Sequence, residues 1–519
     1  MGTVTRSKTM FWGASLLIAA CGGEDPPAGM RVAGSGAVGG LPGVAGAGGM
    51  APPLGAGGNA NVAGSGGGAG NASGTAGGAG GTGAGIGGQA AAGGGGMIGP
   101  PPASCGEAAR PYQVSVTPLD AGLVPYSGDR SWAGATPRVP VAVDAAGTWL
   151  VGFTRQSGTS YSAVIARQDS MADSAWSVPD AALGGLTATK DGAAALLFDP
   201  NTMVDARVWA AVARLASDGS VQWKTELFHS PNLEDEGTKG GASSGRLAYV
   251  PDSDTLFAYF GHTQRYDDGV RHQGGYLASL DAGGTQQVLS GWFGSHNLDQ
   301  RLLVDAARVA TVGLGDAYPK GIFFDYAAMR PRTNVIYRLA ADGVGSTNGQ
   351  LGGMVDLGSE IAIPFITNRS VAQDLDAGTW PDIDDAISMQ IRDAAAAGTD
   401  LGLLLVPQEG ALPMGDLSPV WLMPAPAAGA RLGSLKAARY GDAGLILIAW
   451  AENTGNSRMP SSTYFTMVVD RTGAVCQPKT ALPAAQAFTP GDDLIAHPDG
   501  SIAWANVQSN RIQLVKLVP

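Results

Sequence analysis

Residues 141–153 read VAVDAAGTWLVGF, two largely apolar runs on either side of a short turn that contains Asp and Gly. This pattern predicts a β-hairpin, because the two runs can pair as antiparallel strands and Asp and Gly suit the tight turn between them. The same kind of hairpin returns at residues 186–198, 247–260, 302–314, 435–450 and 494–507.

A second kind of hairpin follows these at a distance, at residues 210–227, 276–292, 335–346 and 465–476. Two hairpins per unit, with a unit length of roughly 40–65 residues, indicate the blades of a β-propeller. We therefore predict an all-β fold, a single propeller of about seven (six to eight) four-stranded blades. The resemblance to propeller domains covers roughly residues 112–519 and implies no particular activity. The units begin near Arg138, Leu183, Ser243, Ser295, Glu360, Ala430 and Phe488.

The first 21 residues have the pattern of a secretory signal. Arg6 and Lys8 precede an apolar run, and small residues lead up to Cys21. The run is about half of the ~20 residues that a membrane-spanning helix needs, so residues 1–20 are predicted to be a signal peptide. Ile18-Ala19-Ala20-Cys21 resembles the lipobox of bacterial lipoproteins, which implies that Cys21 carries lipid. By the same resemblance, Gly22 implies the outer membrane. The alternative is an ordinary signal peptide with a chance cysteine.

Residues 21–104 differ in composition from the rest of the chain. They are mostly Gly and Ala, and Glu24, Asp25 and Arg31 are their only charged residues. With so few large apolar side chains the segment cannot offset the entropy of folding, so we predict a disordered tether. Its random-coil span is about 50 Å, which would hold a domain of residues 105–519 clear of the lipid headgroups.

The cysteines and one unpaired strand both predict that the ends of the domain meet. Besides Cys21, the chain has only Cys105 and Cys476. In an oxidising envelope this pair predicts one disulfide, with two unpaired thiols as the alternative. The last unit also lacks a clear fourth strand, and residues 112–118 (YQVSVTP) can supply it.

Charge narrows the choice of partners. The net charge is −12, from 44 acidic and 32 basic residues, and no basic cluster stands out. This balance argues against nucleic acid and against simple electrostatic adhesion to anionic lipid. No Cys-x-x-Cys motif occurs, which argues against thiolate zinc sites and dithiol redox chemistry.

Residues 261–302 are the densest in side chains that bind metals or exchange protons. Imidazole and carboxylate together suit zinc or another divalent first-row metal, although the spacing matches no known ligand signature. Three interpretations stay open: loop residues that only stabilise turns, a carbohydrate- or peptide-binding surface, and a metal or catalytic site. The candidate residues are His262, Asp267, Asp268, His272, His296 and Asp299.

Several weaker patterns have ordinary explanations. Trp292 and Phe293 could stack on sugar rings, but such aromatics more often fill the core between blades. Residues 241–245 match G-x-S-x-G, but a strand pattern follows where a nucleophile elbow needs a helix. The acidic runs at residues 234–236 and 382–385 lack a calcium-loop pattern. Residues 382–398 are expected to form a strand followed by a loop.

The sequence thus predicts a secreted, lipid-anchored propeller of the cell envelope. Its expected function is binding or scaffolding, with carbohydrate or an envelope protein as partner and the membrane reached through the lipid. The alternative is an envelope enzyme or metal-binding protein with its site in residues 261–299. A purely structural surface protein is a third possibility.

Overall fold

The structure, a computed structural model, describes the blades and much of their connections. The predicted signal peptide, Cys21 and the tether lie outside the described residues, as do residues 382–398, and those calls stay predictions. The described residues are 105–106, 112–119, 139–144, 146–168, 175–200, 209–230, 236–239, 245–265, 269, 271–293, 297–305, 308–315, 321–326, 334–338, 349–367, 400–408, 417–423, 430–441, 444–454, 461–488, 492–508 and 511–518.

The described strands form seven antiparallel sheets, which confirms the predicted seven-bladed propeller. Blade 1 contains Val141–Val143, Trp149–Ser157, Ser160–Arg167 and Trp176–Pro179, and blade 2 contains Ala182–Thr189, Gly192–Phe198, Trp209–Ala216 and Val221–His229. Blade 3 contains Glu236–Lys239, Arg246–Val250, Thr255–Arg265, Arg271–Leu280 and Gln286–Phe293. Blade 4 contains Asn297–Asp305, Arg308–Gly315, Gly321–Tyr326 and Asn334–Arg338. Blade 5 contains Gln350–Leu351, Val355–Asp356, Glu360–Thr367, Asp400–Pro407 and Val420–Met423. Blade 6 contains Arg431–Tyr440, Leu445–Thr454, Ser461–Val469 and Val475–Leu482, and blade 7 contains Ile495–Ala496, Ile502–Gln508, Arg511–Val518 and Gln113–Pro118.

The inner strand is divided in two blades. In blade 3, Glu236–Lys239 and Arg246–Val250 both pair with Thr255–Arg265, one after the other along the same edge. In blade 5, Gln350–Leu351 and Val355–Asp356 share Glu360–Thr367 in the same way. The inner strand of each blade contacts that of the next, and blade 7 contacts blade 1, so the seven inner strands surround a common axis.

The two ends of the domain meet as predicted. Gln113–Pro118 pairs with Arg511–Val518, with Gln113 opposite Val518 and Pro118 opposite Gln513. Cys105 and Cys476, which are separated by 371 positions in sequence, form a disulfide with their Cα atoms 5.3 Å apart. A strand pairing and a covalent bond therefore both join the start of the domain to its last two blades.

Continuous apolar strands form the core because each blade packs between two others. In Gly192–Phe198 of blade 2, every residue after the glycine is buried. Such a strand has neighbours on both faces, so it is apolar throughout and does not alternate. Among the described residues, no helix is long and apolar enough to cross a membrane.

Turns of one recurring type connect strands within blades, and in blade 3 such a turn also contacts the preceding blade. At the turn after Arg271–Leu280, Asp281 N–H donates to Thr285 O and Gly284 N–H donates to Asp281 O. Gly284 has φ +82°, and a Cβ there would lie 2.7 Å from the Trp223 ring of blade 2. Trp223 Nε1 also donates to Ala282 O at 3.0 Å. The same turn geometry recurs with Gly147, Gly219, Gly473 and Gly500 at the positive-φ position.

Candidate functional site

A cavity of about 200 Å³ lies on the axis, where the inner strands of all seven blades converge. Apolar side chains from several blades form much of its wall. The charged lining residues Arg246, Arg301 and Asp493 come from blades 3 and 4 and from the segment that leads into blade 7. The blades contribute, in chain order, Val141, Leu186, Arg246, Arg301, Met354 and Ala437, with Asp493 preceding blade 7.

Two arginines in this cavity share one carboxylate. Arg246 and Arg301 are 5% and 4% exposed. Arg246 Nε lies 2.8 Å from Asp493 Oδ2, and Arg301 Nε lies 3.3 Å from Asp493 Oδ1. The Asp493 side chain is 28% exposed, more than either guanidinium. A single carboxylate therefore spans two buried cations and has a solvent-facing side.

Asp299 holds the second arginine from the other side. Its Oδ1 lies 2.6 Å from Arg301 Nη2, and its Oδ2 accepts the Leu351 N–H of blade 5 at 2.8 Å. Burial raises the pKa of Asp299 to about 6, although the Leu351 N–H and the charge of Arg246 oppose the rise. The carboxyl therefore titrates much closer to neutral pH than an ordinary aspartate does.

A lysine and a third aspartate complete the axial charges. Lys436 of blade 6 is 1% exposed, and its Nζ donates to Asp492 O. The Asp492 carboxylate accepts the Val139 N–H at 2.8 Å, which ties the start of blade 7 to that of blade 1. Burial lowers the pKa of Lys436 to about 8, with Asp492 and Asp493 opposing that change.

Local backbone irregularities place these side chains. The inner strand of blade 4 shifts register between Leu298 and Arg301, and that of blade 6 shifts between Gly433 and Lys436. Within these bulges, Asp299 has φ +53° and Ser434 has φ +51°. Left-handed conformations cost non-glycine residues energy and cluster at functional sites, and bulges redirect side chains. These observations make the axial cavity the candidate functional site.

The predicted histidine cluster is only partly within the described residues. His262 is 2% exposed, and its ring packs against Phe228 of blade 2 and Tyr276 of blade 3, with ring centroids 4.9 and 5.7 Å away. Register places His272 opposite Gln264 and His262 opposite Gly274, so both histidines are on one face of blade 3. His262 therefore belongs to the packing layer between blades 2 and 3.

The structure does not bring the described candidates together as metal ligands. Asp299 uses its oxygens on Arg301 and Leu351 N–H, whereas His262 packs in the layer between blades. Among the described residues, no group of three His, Cys, Asp or Glu side chains could hold a metal ion. The described residues therefore do not fit the divalent metal that the sequence suggested. Asp267, Asp268 and His296 lie outside the described residues, and their role stays a prediction.

Sequence reasoning selected Asp299 but missed the other axial charges. A signal was present, because Arg246, Arg301 and Asp493 each directly precede a leucine near the start of a unit. When a charged residue occupies the same position in the inner strands of several blades, and the rest of the strand is apolar, its side chain is expected to point towards the axis. Lys436 follows a leucine instead, and a bulge brings it to the same region.

A second charge network connects blades 2 and 3 through their turns. Arg214, 2% exposed, contacts Asp191 and Asp254, each at 2.8 Å. Asp254 also contacts Lys190 at 2.7 Å and accepts the Tyr249 hydroxyl at 2.9 Å. Burial would raise the pKa of Asp254, but these hydrogen bonds outweigh it and lower the pKa to about 2. Every member of this network has a partner in a neighbouring turn or strand, so we assign it to blade packing.

Comparisons with known proteins find similar solved structures but no family. No protein-family model matches the chain, and no curated protein matches it. Among solved structures, it is similar to the Penicillium chrysogenum alpha-L-arabinanase complexed with arabinobiose, with 12% identity over 65% of this chain and 93% of that one and a TM-score of 0.37. It is also similar to the Trypanosoma rangeli sialidase, with 10% identity over 68% and 59% and a TM-score of 0.36. The β-propeller domain of the Pyrococcus furiosus Trilobed protease gives 9% identity over 74% and 93%, with a TM-score of 0.37.

Proposed function

We propose that this protein is a lipid-anchored binding protein of the cell envelope, held at the outer membrane by Cys21, with its ligand site in the axial cavity. The ligand we propose is a carbohydrate, either free or carried on an envelope component. The tether of residues 21–104 gives the propeller reach from the membrane, and the seven blades give the cavity a rigid wall.

The observation that carries this proposal is the concentration of buried charge around an open cavity. Arg246, Arg301 and Lys436 are each at most 5% exposed, and burying such cations is costly unless partners are held in place. If the charged residues served only to stabilise the ring, apolar side chains could fill the axis at a lower free-energy cost. Charged groups on rigid elements around a cavity are what recognition of a small polar molecule requires.

The size and lining of the cavity indicate the class of ligand. Ligand pockets usually measure about 300–1,000 Å³, and this one, at about 200 Å³, suits a small polar group such as one sugar ring. Guanidinium and carboxylate groups offer the planar donors and acceptors that ring hydroxyls need. The arabinanase and sialidase are named for carbohydrate chemistry, but their likeness to this chain extends to the fold alone.

Binding can be tested with the purified full-length protein on a panel of bacterial envelope saccharides and neutral and acidic monosaccharides. The substitution R301K should weaken binding at least tenfold, because lysine keeps the charge but loses the fork of donors. R439K is the matched control, since Arg439 is an exposed residue on the inner strand of blade 6. Equal affinity in the two variants, or no binding to any saccharide, would contradict the proposal.

The lipid anchor needs a separate test. In a Gram-negative host, the native protein should incorporate labelled palmitate and sediment with outer membranes. C21S should lose both properties and leave the propeller folded, because residue 21 lies far from the domain in sequence. Label retained by C21S would refute attachment at that cysteine.

An envelope enzyme is the second candidate, and one observation favours it. Asp299, whose pKa is about 6 and whose carboxylate contacts the cavity-lining Arg301, could exchange a proton near neutral pH. If the protein cleaves a saccharide of the panel, D299N should abolish turnover while binding of the saccharide remains measurable. Turnover unchanged in D299N would exclude Asp299 as the acid or base.

A further inference from the structure

We propose that the axial ligand carries a carboxylate, and that this group takes the place of the Asp493 carboxylate between Arg246 and Arg301. This inference rests on the proposed function, since it names the chemical class recognised at the same cavity. In the unliganded protein, Asp493 acts as an internal occupant that an external carboxylate displaces.

The geometry shows that a carboxylate fits between the arginines. The Asp493 oxygens lie 2.8 Å from Arg246 Nε and 3.3 Å from Arg301 Nε. The guanidiniums come from the inner strands of blades 3 and 4, and Asp299 and Gly245 O hold their other nitrogens at 2.6 and 2.9 Å. Each guanidinium of the pair therefore has a partner on the scaffold besides Asp493.

Asp493 is the member of this group that is best able to move. Its side chain is 28% exposed, whereas those of Arg246 and Arg301 are 6% and 5% exposed. It lies in the non-strand segment 492–494, and the next strand begins at Ile495. It also lines the cavity, so its side chain borders the space that a ligand would enter.

Charge balance favours an anionic replacement. Asp493 contributes one negative charge to two buried cations, so moving it away without replacement would leave both without that charge, at a high cost. A neutral hydroxyl cannot restore the charge, whereas a ligand carboxylate can, and it can also use the guanidinium donors in a paired geometry. The site therefore discriminates in favour of acids such as uronic acids over their neutral counterparts.

The neighbouring charges agree with this assignment. Lys436 is the third buried cation of the cluster, and Asp492 and Asp299 already use carboxylate oxygens on the Val139 and Leu351 N–H groups. Of the three axial aspartates, Asp493 is the one whose carboxylate faces the two arginines together.

The test compares D-glucuronate with D-glucose, which differ at one carbon in carrying a carboxylate or a hydroxymethyl group. Titration calorimetry on the full-length protein should show glucuronate binding with an affinity at least tenfold above that for glucose, or about 1.4 kcal/mol. D493N removes the internal charge and keeps the side-chain shape, so it should bind glucuronate at least tenfold more tightly than the native protein. D252N is the control, because Asp252 is exposed in a turn of blade 3 and should change nothing.

The outcomes separate this inference from the proposed function. Glucose bound as tightly as glucuronate, with both lost in R301K, would overturn the carboxylate inference and leave a carbohydrate site at the axis. Glucuronate binding that R301K does not weaken would overturn both. Glucuronate affinity equal in D493N and the native protein would refute displacement.

A second readout protects the test if D493N is unstable. With two cations left without their shared carboxylate, D493N should melt at a lower temperature than native protein, and added glucuronate or acetate should restore much of the loss. Glucose at the same concentration should not. If D493N does not fold, D493E replaces it, because its longer carboxylate crowds the cavity and should weaken glucuronate binding about tenfold. Glucuronate affinity unchanged in D493E would contradict the inference.

Discussion

The turn glycines offer a sharp test of how the blades hold together. Gly219 of blade 2 has φ +84°, and a Cβ at that position would lie 2.0 Å from Trp176 Cδ1 of blade 1. Gly158 has φ +62°, and a Cβ there would meet nothing within 4 Å. G158A therefore changes only backbone strain, whereas G219A adds a collision between blades.

The expected magnitudes follow from these contacts. A left-handed alanine costs about 1–2 kcal/mol, so G158A should destabilise the domain by that amount. Trp176 is 7% exposed and belongs to the core shared by blades 1 and 2. Losing a buried tryptophan entirely costs about 3–5 kcal/mol, so shifting it should add roughly 2–3 kcal/mol in G219A.

Thermal unfolding followed by circular dichroism is the assay. For a domain of this length the unfolding entropy makes 1 kcal/mol worth about 1 °C. G158A should lower the Tm by about 1–2 °C and G219A by about 3–5 °C. Equal shifts in the two variants would refute the idea that the Trp176–Gly219 contact fastens blade 2 to blade 1.

Three further predictions concern the bond between the chain ends and the two charge networks. Replacing both Cys105 and Cys476 by serine should lower the free energy of unfolding by about 2–5 kcal/mol. In urea unfolding, added reductant should cause the same loss of stability in the native protein and should not change the stability of the mutant. D254N should lose about 1–2 kcal/mol at pH 7, because the folded pKa of Asp254 of about 2 lies below its unfolded value. That stability is present above about pH 4 and lost towards pH 2, so native and D254N stabilities should converge in acid, and a gap that persists there would contradict the assignment. The pKa of Lys436 is about 8 in the folded protein and about 10.4 in the unfolded chain. Between about pH 8 and about pH 10.4 the unfolded chain therefore binds more protons than the folded protein, so the stability of the native protein should rise with pH over that range. K436M should lack this rise, and an equal rise in K436M would exclude Lys436 as its source.

Much of the fold was predictable because the physical signals are local and repeated. Each hairpin carries its own turn residues and apolar runs, and the recurrence of the hairpins reveals the blade. Closure was predictable from two independent signals, an unpaired last unit and the cysteines at positions 105 and 476. The division of the inner strand into two segments in blades 3 and 5 was not predictable. It depends on which residues of each segment pair with the second strand of the blade.

The site was harder to predict because it is assembled from different blades. Arg246, Arg301 and Asp493 are far apart in sequence, and only ring closure brings the last beside the first two. The sequence instead favoured a site in residues 261–302, where three of the histidines lie close together along the chain. His262, however, lies among aromatic rings of blades 2 and 3. Density along the chain does not imply proximity in a propeller, where each strand directs its side chains into a different layer.

The most direct test of the account is a crystal structure of the protein after soaking with D-glucuronate. We expect density for the sugar in the axial cavity, its carboxylate within about 3 Å of Arg246 and Arg301, and the Asp493 side chain rotated away from both. Density in which Asp493 still spans the two arginines while the sugar binds elsewhere, or a cavity without sugar at a concentration that saturates binding in solution, would contradict the account.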